Sequence, residues 1–153
     1  MDLKSKIILI SGPTASGKSK AALKIAKKLN GEIINADSMQ VYKELKILTA
    51  RPSKTDLNKI DHHLYGFRSV KKEFSSGEWL KLAKKNIKKI RDKNKIPVLV
   101  GGTGLYFKAL TDGLVKIPKI PISVRDKIRR MQNKLGQITF YLKLLNNDPL
   151  VKN

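Results

Sequence analysis

The segment Gly12-Pro13-Thr14-Ala15-Ser16-Gly17-Lys18-Ser19 carries glycines at its first and sixth places, then a lysine and a hydroxyl. That spacing, G-x-x-x-x-G-K-[ST], is the phosphate-cradling loop. The glycines let the backbone turn so that its N–H groups point at phosphate oxygens. Lys18 supplies a point charge, and the Ser19 hydroxyl can ligate Mg²⁺. A helix starting at the lysine adds the partial positive charge of its N-terminus to the same spot. Loops of this kind hold ATP and other nucleotides, and the motif alone promises a bound diphosphate or triphosphate, not a reaction. Asp37, within Asn35-Ala36-Asp37-Ser38-Met39-Gln40-Val41-Tyr42, is a second chemical group. It is a candidate general base or outer-sphere metal group. Aspartate there equally caps a following turn, and position alone leaves both readings open. The third stretch is Gly101-Gly102-Thr103-Gly104, a flexible turn after an apolar run. No acidic residue follows that run, whereas ordinary ATPases with this loop hold Mg²⁺ there with aspartate.

The elements that must position these groups follow from apolar periodicity. Residues 6–10 read as a short buried strand leading into the loop. Residues 18–29 read as a helix leading out, with Ala22, Ile25, Ala26 and Leu29 on one stripe and Asn30-Gly31 as its stop. Residues 32–35 then form a second strand, so the order strand–helix–strand implies a parallel βαβ unit. Open α/β sheets bind ligands at the carboxyl ends of their strands. Asp37 is therefore expected on the same rim as the loop at Gly12.

Residues 45–54 read as an irregular excursion whose Thr49, Arg51 and Pro52 suit a surface loop near substrate, and residues 56–60 as one helical turn. Residues 62–67 are expected as a third strand. On it His62 and His63 would point to opposite faces, a poor metal pair, so both read as structural. A long helix opens near Phe74, capped by Ser75 or Ser76 with Glu73 or Glu78 nearby. It buries Leu80, Ala83, Ile87 and Ile90 and turns Lys81, Lys84, Lys85, Lys88 and Lys89 outward. Trp79 reads as core or helix anchor. Residues 96–100 are wholly apolar, as a central parallel strand requires, and residues 105–110 continue as a helix. The expected fold class is thus α/β, a P-loop NTPase-like parallel sheet flanked by helices.

From Lys116 the character changes. Prolines 118 and 121 mark a boundary, Val124, Ile128, Met131 and Leu135 form a helical stripe beside basic residues, and Ile138, Tyr141, Leu142 and Leu145 suggest another helix. Residues 1–115 are read as the N-terminal part of a catalytic core, and residues 116–153 as the start of a helical insertion.

The 153 residues carry 33 basic and 12 acidic side chains, a net charge of +21. A polyanionic partner explains that excess, and so does a lysine bias spread over solvated faces. Arginine is confined to Arg51, Arg68, Arg91, Arg125, Arg129 and Arg130, although specific phosphate and base readers favour it. With no cysteine, neither a disulfide framework nor a thiolate zinc site is possible. No apolar run approaches the roughly 18 residues of a membrane span, and the N-terminus leads straight into the first strand without a visible signal segment.

Four stretches coincide: residues 12–19; Asn35 through Lys43; Thr49-Ala50-Arg51-Pro52; and Val98 through Tyr106. Together they resemble the tRNA dimethylallyltransferase, or delta(2)-isopentenylpyrophosphate transferase, family. The likeness runs from about Ile7 to Pro149, and its second and fourth stretches are far more specific than its first. The resemblance implies a monomeric, cytoplasmic enzyme that moves a dimethylallyl group from dimethylallyl diphosphate to N6 of an adenine next to the tRNA anticodon. Gly12, Pro13, Thr14, Ala15, Ser16, Gly17, Lys18 and Ser19 would hold the donor diphosphate, with Mg²⁺ at Ser19. Asp37 would be the catalytic base, with Thr14 and Lys18 completing the catalytic set. Asp37, Ser38, Met39 and Gln40 would contact the target nucleotide of the anticodon stem-loop. Thr103 matches a position lining the reaction channel, and Arg125 a tRNA-contacting position of the helical insertion.

Family members run to about twice this length, so the resemblance further implies a chain that stops inside the insertion. Three other readings stay open: an enzyme that prenylates free adenine nucleotides, a small P-loop nucleotide kinase, and a non-catalytic tRNA-binding remnant.

Overall fold

A computed structural model describes residues 6–115, 118 and 120–152. Residues up to Leu114 form one compact unit, and those from Val115 form a second.

The first unit is built on four parallel strands: β1 (Ile8–Ser11), β2 (Gly31–Asn35), β3 (His62–His63) and β4 (Ile96–Gly101). Their spatial order is β1-β4-β2-β3. β4 runs beside β1 from Ile8↔Val98 to Ser11↔Gly101 and beside β2 from Gly31↔Ile96 to Asn35↔Val100. β2 and β4 are buried along their whole length, which explains the continuous apolar run of β4, while β2 also buries Glu32 and Asn35. Helix α1 (Lys18–Lys28) packs on one face, where Ala22 and Ala26 meet Ile33, Val98 and Val100. After the short helix α2 (Lys54–Lys59), helices α3 (Ser76–Asp92) and α4 (Gly104–Thr111) cover the other face. There Trp79, Ala83, Ile87, Ile90 and Tyr106 meet Ile34, Ala36 and Leu99. The alternation of Ile33 with Ile34, and of Val98 with Leu99, between the two faces follows from the two-residue period of a strand.

The helix boundaries have local causes. Ser75 caps α3: its hydroxyl accepts the Glu78 N–H, and Glu78 in turn accepts the Ser75 N–H, a reciprocal capping box. Asn94, with φ 56°, turns the chain back into β4. The expected third strand is much shorter than residues 62–67. Leu64 has φ 64° and Gly66 has φ 54°, so the backbone leaves the extended region directly after His63.

The second unit contains α5 (Ile122–Leu135), α6 (Gln137–Asn147) and a short 3₁₀ turn, Pro149–Lys152. Gly136, at φ 73°, separates the helices. Neither helix buries a residue, and Ile122, Ile138 and Leu142 stand exposed. Of the boundary expected around residues 116–121, Lys116, Ile117 and Lys119 lie outside the described residues. Among the described residues, no helix is long and apolar enough to cross a membrane.

Candidate functional site

Because every strand of the sheet runs the same way, the segments leaving β1, β2 and β4 emerge on one rim. Residues 12–17 follow β1, Ala36 and Asp37 follow β2, and Gly102-Thr103 follow β4. A cleft of about 700 Å³ opens along this rim. Thr14, Ala15, Ser16, Gly17, Lys18 and Ser19 form one wall, and Asp37, Met39 and Gln40 another. Leu45, Leu48, Thr49 and Ala50 come from the following excursion, with Tyr65 and Val100 also lining the space.

The loop wall has a geometry that suits an anion. Gly17 sits at φ 81°, a conformation costly for a residue with a Cβ, and Ala15 also has a positive φ of 63°. These turns carry the backbone around the cleft and into α1. No side chain caps α1, and no acidic residue sits in its first turn. The N-terminal N–H groups of the helix and its dipole are left for a bound group. A Cβ on Gly12 would stand 3.2 Å from Ser16 Oγ, so the loop closes tightly there. The Lys18 ammonium donates to the Pro13 carbonyl, which holds its charge over the loop.

The opposite wall centres on Asp37. Its Oδ1 accepts the Met39 N–H at 2.8 Å, closing a local turn, while Oδ2 has no hydrogen-bond partner among the described residues. The turn-capping reading of Asp37 is thus met by Oδ1, while the residue also lines the cleft. Asn35, fully buried, accepts the Asp37 N–H on Oδ1 at 2.9 Å. Its Nδ2 donates to the carbonyls of Asp37 (2.9 Å) and Leu64 (3.1 Å). Thr103 Oγ1 accepts the Ser38 N–H at 2.9 Å, and the Thr103 N–H donates to the Ala36 carbonyl at 3.2 Å. Gly101 permits this closeness: a Cβ there would lie 2.1 Å from the Ala36 carbonyl carbon.

Two phenols sense the site. Burial pushes the Tyr65 hydroxyl well above its usual range, with the Asp37 charge adding to it. Burial also pushes Tyr106 up to about 12, helped by Tyr42 and Asp37. Tyr65 therefore faces the cleft as a neutral hydroxyl.

Of the residues singled out from sequence, 14–19, Asp37, Met39 and Gln40 share the cleft. Gly12, Pro13, Ser38 and Thr103 stand behind them as loop and brace, and are not in its lining. Arg125 is exposed on α5, in the second unit. In the excursion Thr49 does line the cleft, but Arg51 does not: its guanidinium packs at Gly66 and donates to the Lys43 carbonyl at 3.0 Å. The sequence reading missed Leu45, Leu48 and Tyr65, which follow no period, and Asn35. A polar residue directly after the apolar pair Ile33-Ile34, at the end of a buried strand, was the available signal for Asn35.

His62 and His63 are each engaged structurally. His62 Nδ1 pairs with the Ile60 carbonyl at 2.7 Å, and His63 Nε2 with Glu32 Oε2 at 2.7 Å. Among the described residues, no group of three or more His, Cys, Asp or Glu could hold a metal ion. Any Mg²⁺ in the cleft would rest on the Ser19 hydroxyl, phosphate oxygens and water, a hard-oxygen set that suits this ion.

Comparison with known proteins adds the following. A family model described as IPP transferase matches residues 40–153. The chain is 64% identical over 153 residues to a tRNA dimethylallyltransferase of Pelagibacter ubique (strain HTCC1062), covering 100% of this chain and 49% of that protein. The full-length tRNA isopentenylpyrophosphate transferase of Bacillus halodurans has a similar structure, with a TM-score of 0.71 and 35% identity over 94% of this chain and 48% of that one. A eukaryotic dimethylallyltransferase, captured acting on tRNA, superposes with a TM-score of 0.80 at 31% identity, over 95% of this chain and 36% of its own. The chain spans about half the length of the curated relatives it matches.

Proposed function

The chain belongs to the IPP transferase family, and from that premise we propose that it serves tRNA prenylation. It would transfer a dimethylallyl group from dimethylallyl diphosphate to N6 of the adenine next to the anticodon. The observation that carries this reading is the make-up of one cleft. A phosphate-binding loop faces a carboxylate across a space whose remaining wall includes Leu45, Leu48 and Val100. A diphosphate fits the loop, a short alkyl chain fits the apolar wall, and the nucleophile belongs beside Asp37.

The step balances with these residues. The bond between the donor's C1 and its diphosphate oxygen breaks, the adenine N6–C1 bond forms, and the N6 proton passes to Asp37 Oδ2. Charge grows on the leaving diphosphate. Lys18, the Thr14 hydroxyl and N–H groups of the loop and the start of α1 would stabilise it where it develops. Mg²⁺ at the Ser19 hydroxyl would add neutralising charge to the same diphosphate. Asp37 orients a weakly nucleophilic exocyclic amine and accepts its proton. Ser38, Met39 and Gln40 continue from Asp37 along the path a flipped-out adenine would take. Thr103 braces that path, and Arg125 on the helical insertion would meet the tRNA backbone. β4 ends in Gly101 and is followed by Gly102, not by the acidic residue that ATP-hydrolysing loop proteins place there, which favours transfer over hydrolysis. This reading has the chain act as a monomer in the cytoplasm.

The test is incubation with an anticodon stem-loop RNA bearing that adenine and with labelled dimethylallyl diphosphate. Label on N6, lost in Asp37→Ala, is the expected result. Absence of label with the unaltered chain would count against transfer by this chain.

A further inference from the structure

We propose that Asn35 is the positioning residue that aims the Asp37 carboxylate into the cleft; this rests on the reading of Asp37 as the proton acceptor. Asn35 ends β2 and is fully buried. A buried primary amide must find partners for both its oxygen and its nitrogen. Here the partners are the two ends of one residue. Oδ1 accepts the Asp37 N–H at 2.9 Å, and Nδ2 donates to the Asp37 carbonyl at 2.9 Å. The second Nδ2 proton goes to the Leu64 carbonyl at 3.1 Å. This network also fixes the amide's orientation. Turned over, Nδ2 would face an N–H and Oδ1 would face two carbonyls.

The grip matters because of what Asp37 would otherwise rely on. Its carboxylate is steered by one bond of its own, from the Met39 N–H to Oδ1 at 2.8 Å. That bond fixes the direction of Oδ2 only if the Asp37 backbone is itself fixed. Asn35 supplies the fixing from both sides. Asn35 is in turn anchored to the core: its carbonyl accepts the Trp79 indole N–H at 2.9 Å. The Ala36 N–H donates to the Val100 carbonyl at 2.8 Å, so the turn between the two residues is held as well. The line from the core through Asn35 to Asp37 is continuous.

No other common side chain performs this task. Aspartate would set an oxygen against the carbonyls of Asp37 and Leu64. Serine is too short to reach both ends of the Asp37 backbone, and alanine leaves all three groups without Asn35 as partner. Asn35 is absent from the cleft lining, so its effect on the reaction would pass through Asp37.

The experiment compares the unaltered chain with Asn35→Ala and Asn35→Ser by two readouts. The first is transfer to the stem-loop RNA. Because angstrom-scale misplacement costs on the order of 100-fold in rate, we expect kcat to fall about 30-fold or more in Asn35→Ala. The donor KM should stay within about twofold, since the loop is untouched, and Asn35→Ser should fall between. The second readout is amide hydrogen exchange, which needs no turnover. In Asn35→Ala the Met39 amide should lose about tenfold or more of its protection while the Leu99 amide, in the sheet, keeps its own. Retained kcat, or an unchanged Met39 amide in a folded variant, overturns the proposal. Equal loss of protection at Met39 and Leu99 in both variants overturns it too, because Asn35 would then be a general stabiliser. If the unaltered chain transfers no label, the functional reading fails by itself, and the exchange pattern still decides whether Asn35 aims Asp37.

Discussion

Thr103 Oγ1 accepts the Ser38 N–H at 2.9 Å and so joins the turn after β4 to the turn after β2 across the rim of the sheet. The Thr103 backbone N–H adds a bond to the Ala36 carbonyl. Thr103 does not line the cleft; it holds the segment that carries Asp37 against its neighbour.

Removing that hydroxyl should be felt at the Asp37 segment before it is felt in the fold. Thr103→Ala leaves the part-buried Ser38 N–H without its partner, at a cost of about 1 kcal/mol. We expect chemical denaturation to show that modest loss, and kcat for RNA transfer to drop about tenfold with donor affinity preserved. Thr103→Ser keeps the oxygen and should behave nearly as the unaltered chain. If serine and alanine proved equally impaired, the methyl group and not the hydrogen bond would be the cause.

The cleft should prefer a prenyl diphosphate to ATP. The loop offers the same N–H groups to both, but Leu45, Leu48 and Val100 reward a short alkyl chain. Among the cleft-lining residues Asp37 is the only acidic side chain, so no carboxylate at the end of β4 is present to organise a triphosphate with its metal. Calorimetry with Mg²⁺ should give tighter binding of dimethylallyl diphosphate than of ATP, and Leu48→Ser should narrow the gap. Tighter ATP binding would argue for a nucleotide kinase.

Glu32 makes the first unit sensitive to acid. Burial alone would raise its carboxyl, but hydrogen bonds from Lys95, Lys93 and His63 outweigh that and bring it from 4.5 down to about 2. Lys95 Nζ lies 2.8 Å and Lys93 Nζ 3.0 Å from Oε1. A carboxyl that is more acidic in the folded chain contributes stability above its unfolded value. That contribution is lost as pH falls from about 4.5 toward about 2. Unfolding free energies from urea titrations across this window should fall by on the order of 3 kcal/mol, and Glu32→Gln should flatten the decline while lowering stability at neutral pH. An unchanged slope in Glu32→Gln would place the acid sensitivity elsewhere.

Much of this arrangement was legible in the sequence because buried parallel strands announce themselves. The apolar run at 96–100, the brief strand before Asn35 and the loop at 12–19 each imply a strand end, and parallel order puts those ends on one rim. The excursion at 45–54 was not legible in detail. Leu45, Ile47 and Leu48 follow no period, and only the folded loop brings Leu45 and Leu48 to the cleft, where Leu48 is largely exposed, as Ile47 is outside it. The short β3 was also hidden, because a left-handed Leu64 has no signature in its residue type. Asn35 escaped notice for a related reason: its three bonds reach two residues on and also to Leu64, and only the last of these needs the folded chain.

Trp79 tests whether the core truly supports the site. Its ring is fully buried and stacks on Tyr106 at 4.3 Å with an interplanar angle of 10°. Its indole N–H is spent on the Asn35 carbonyl at 2.9 Å. Trp79→Phe keeps an aromatic ring in place but removes the donor, leaving a buried carbonyl without that bond and a small void beside Tyr106. The two losses together should cost about 2–3 kcal/mol. A cost confined to packing would lower the denaturation midpoint and leave the Met39 amide as protected as before. A cost transmitted through Asn35 would also loosen the Met39 amide and reduce kcat severalfold, at temperatures where the variant is fully folded. We expect the second pattern, because the carbonyl released from Trp79 belongs to the residue that grips Asp37 at both ends.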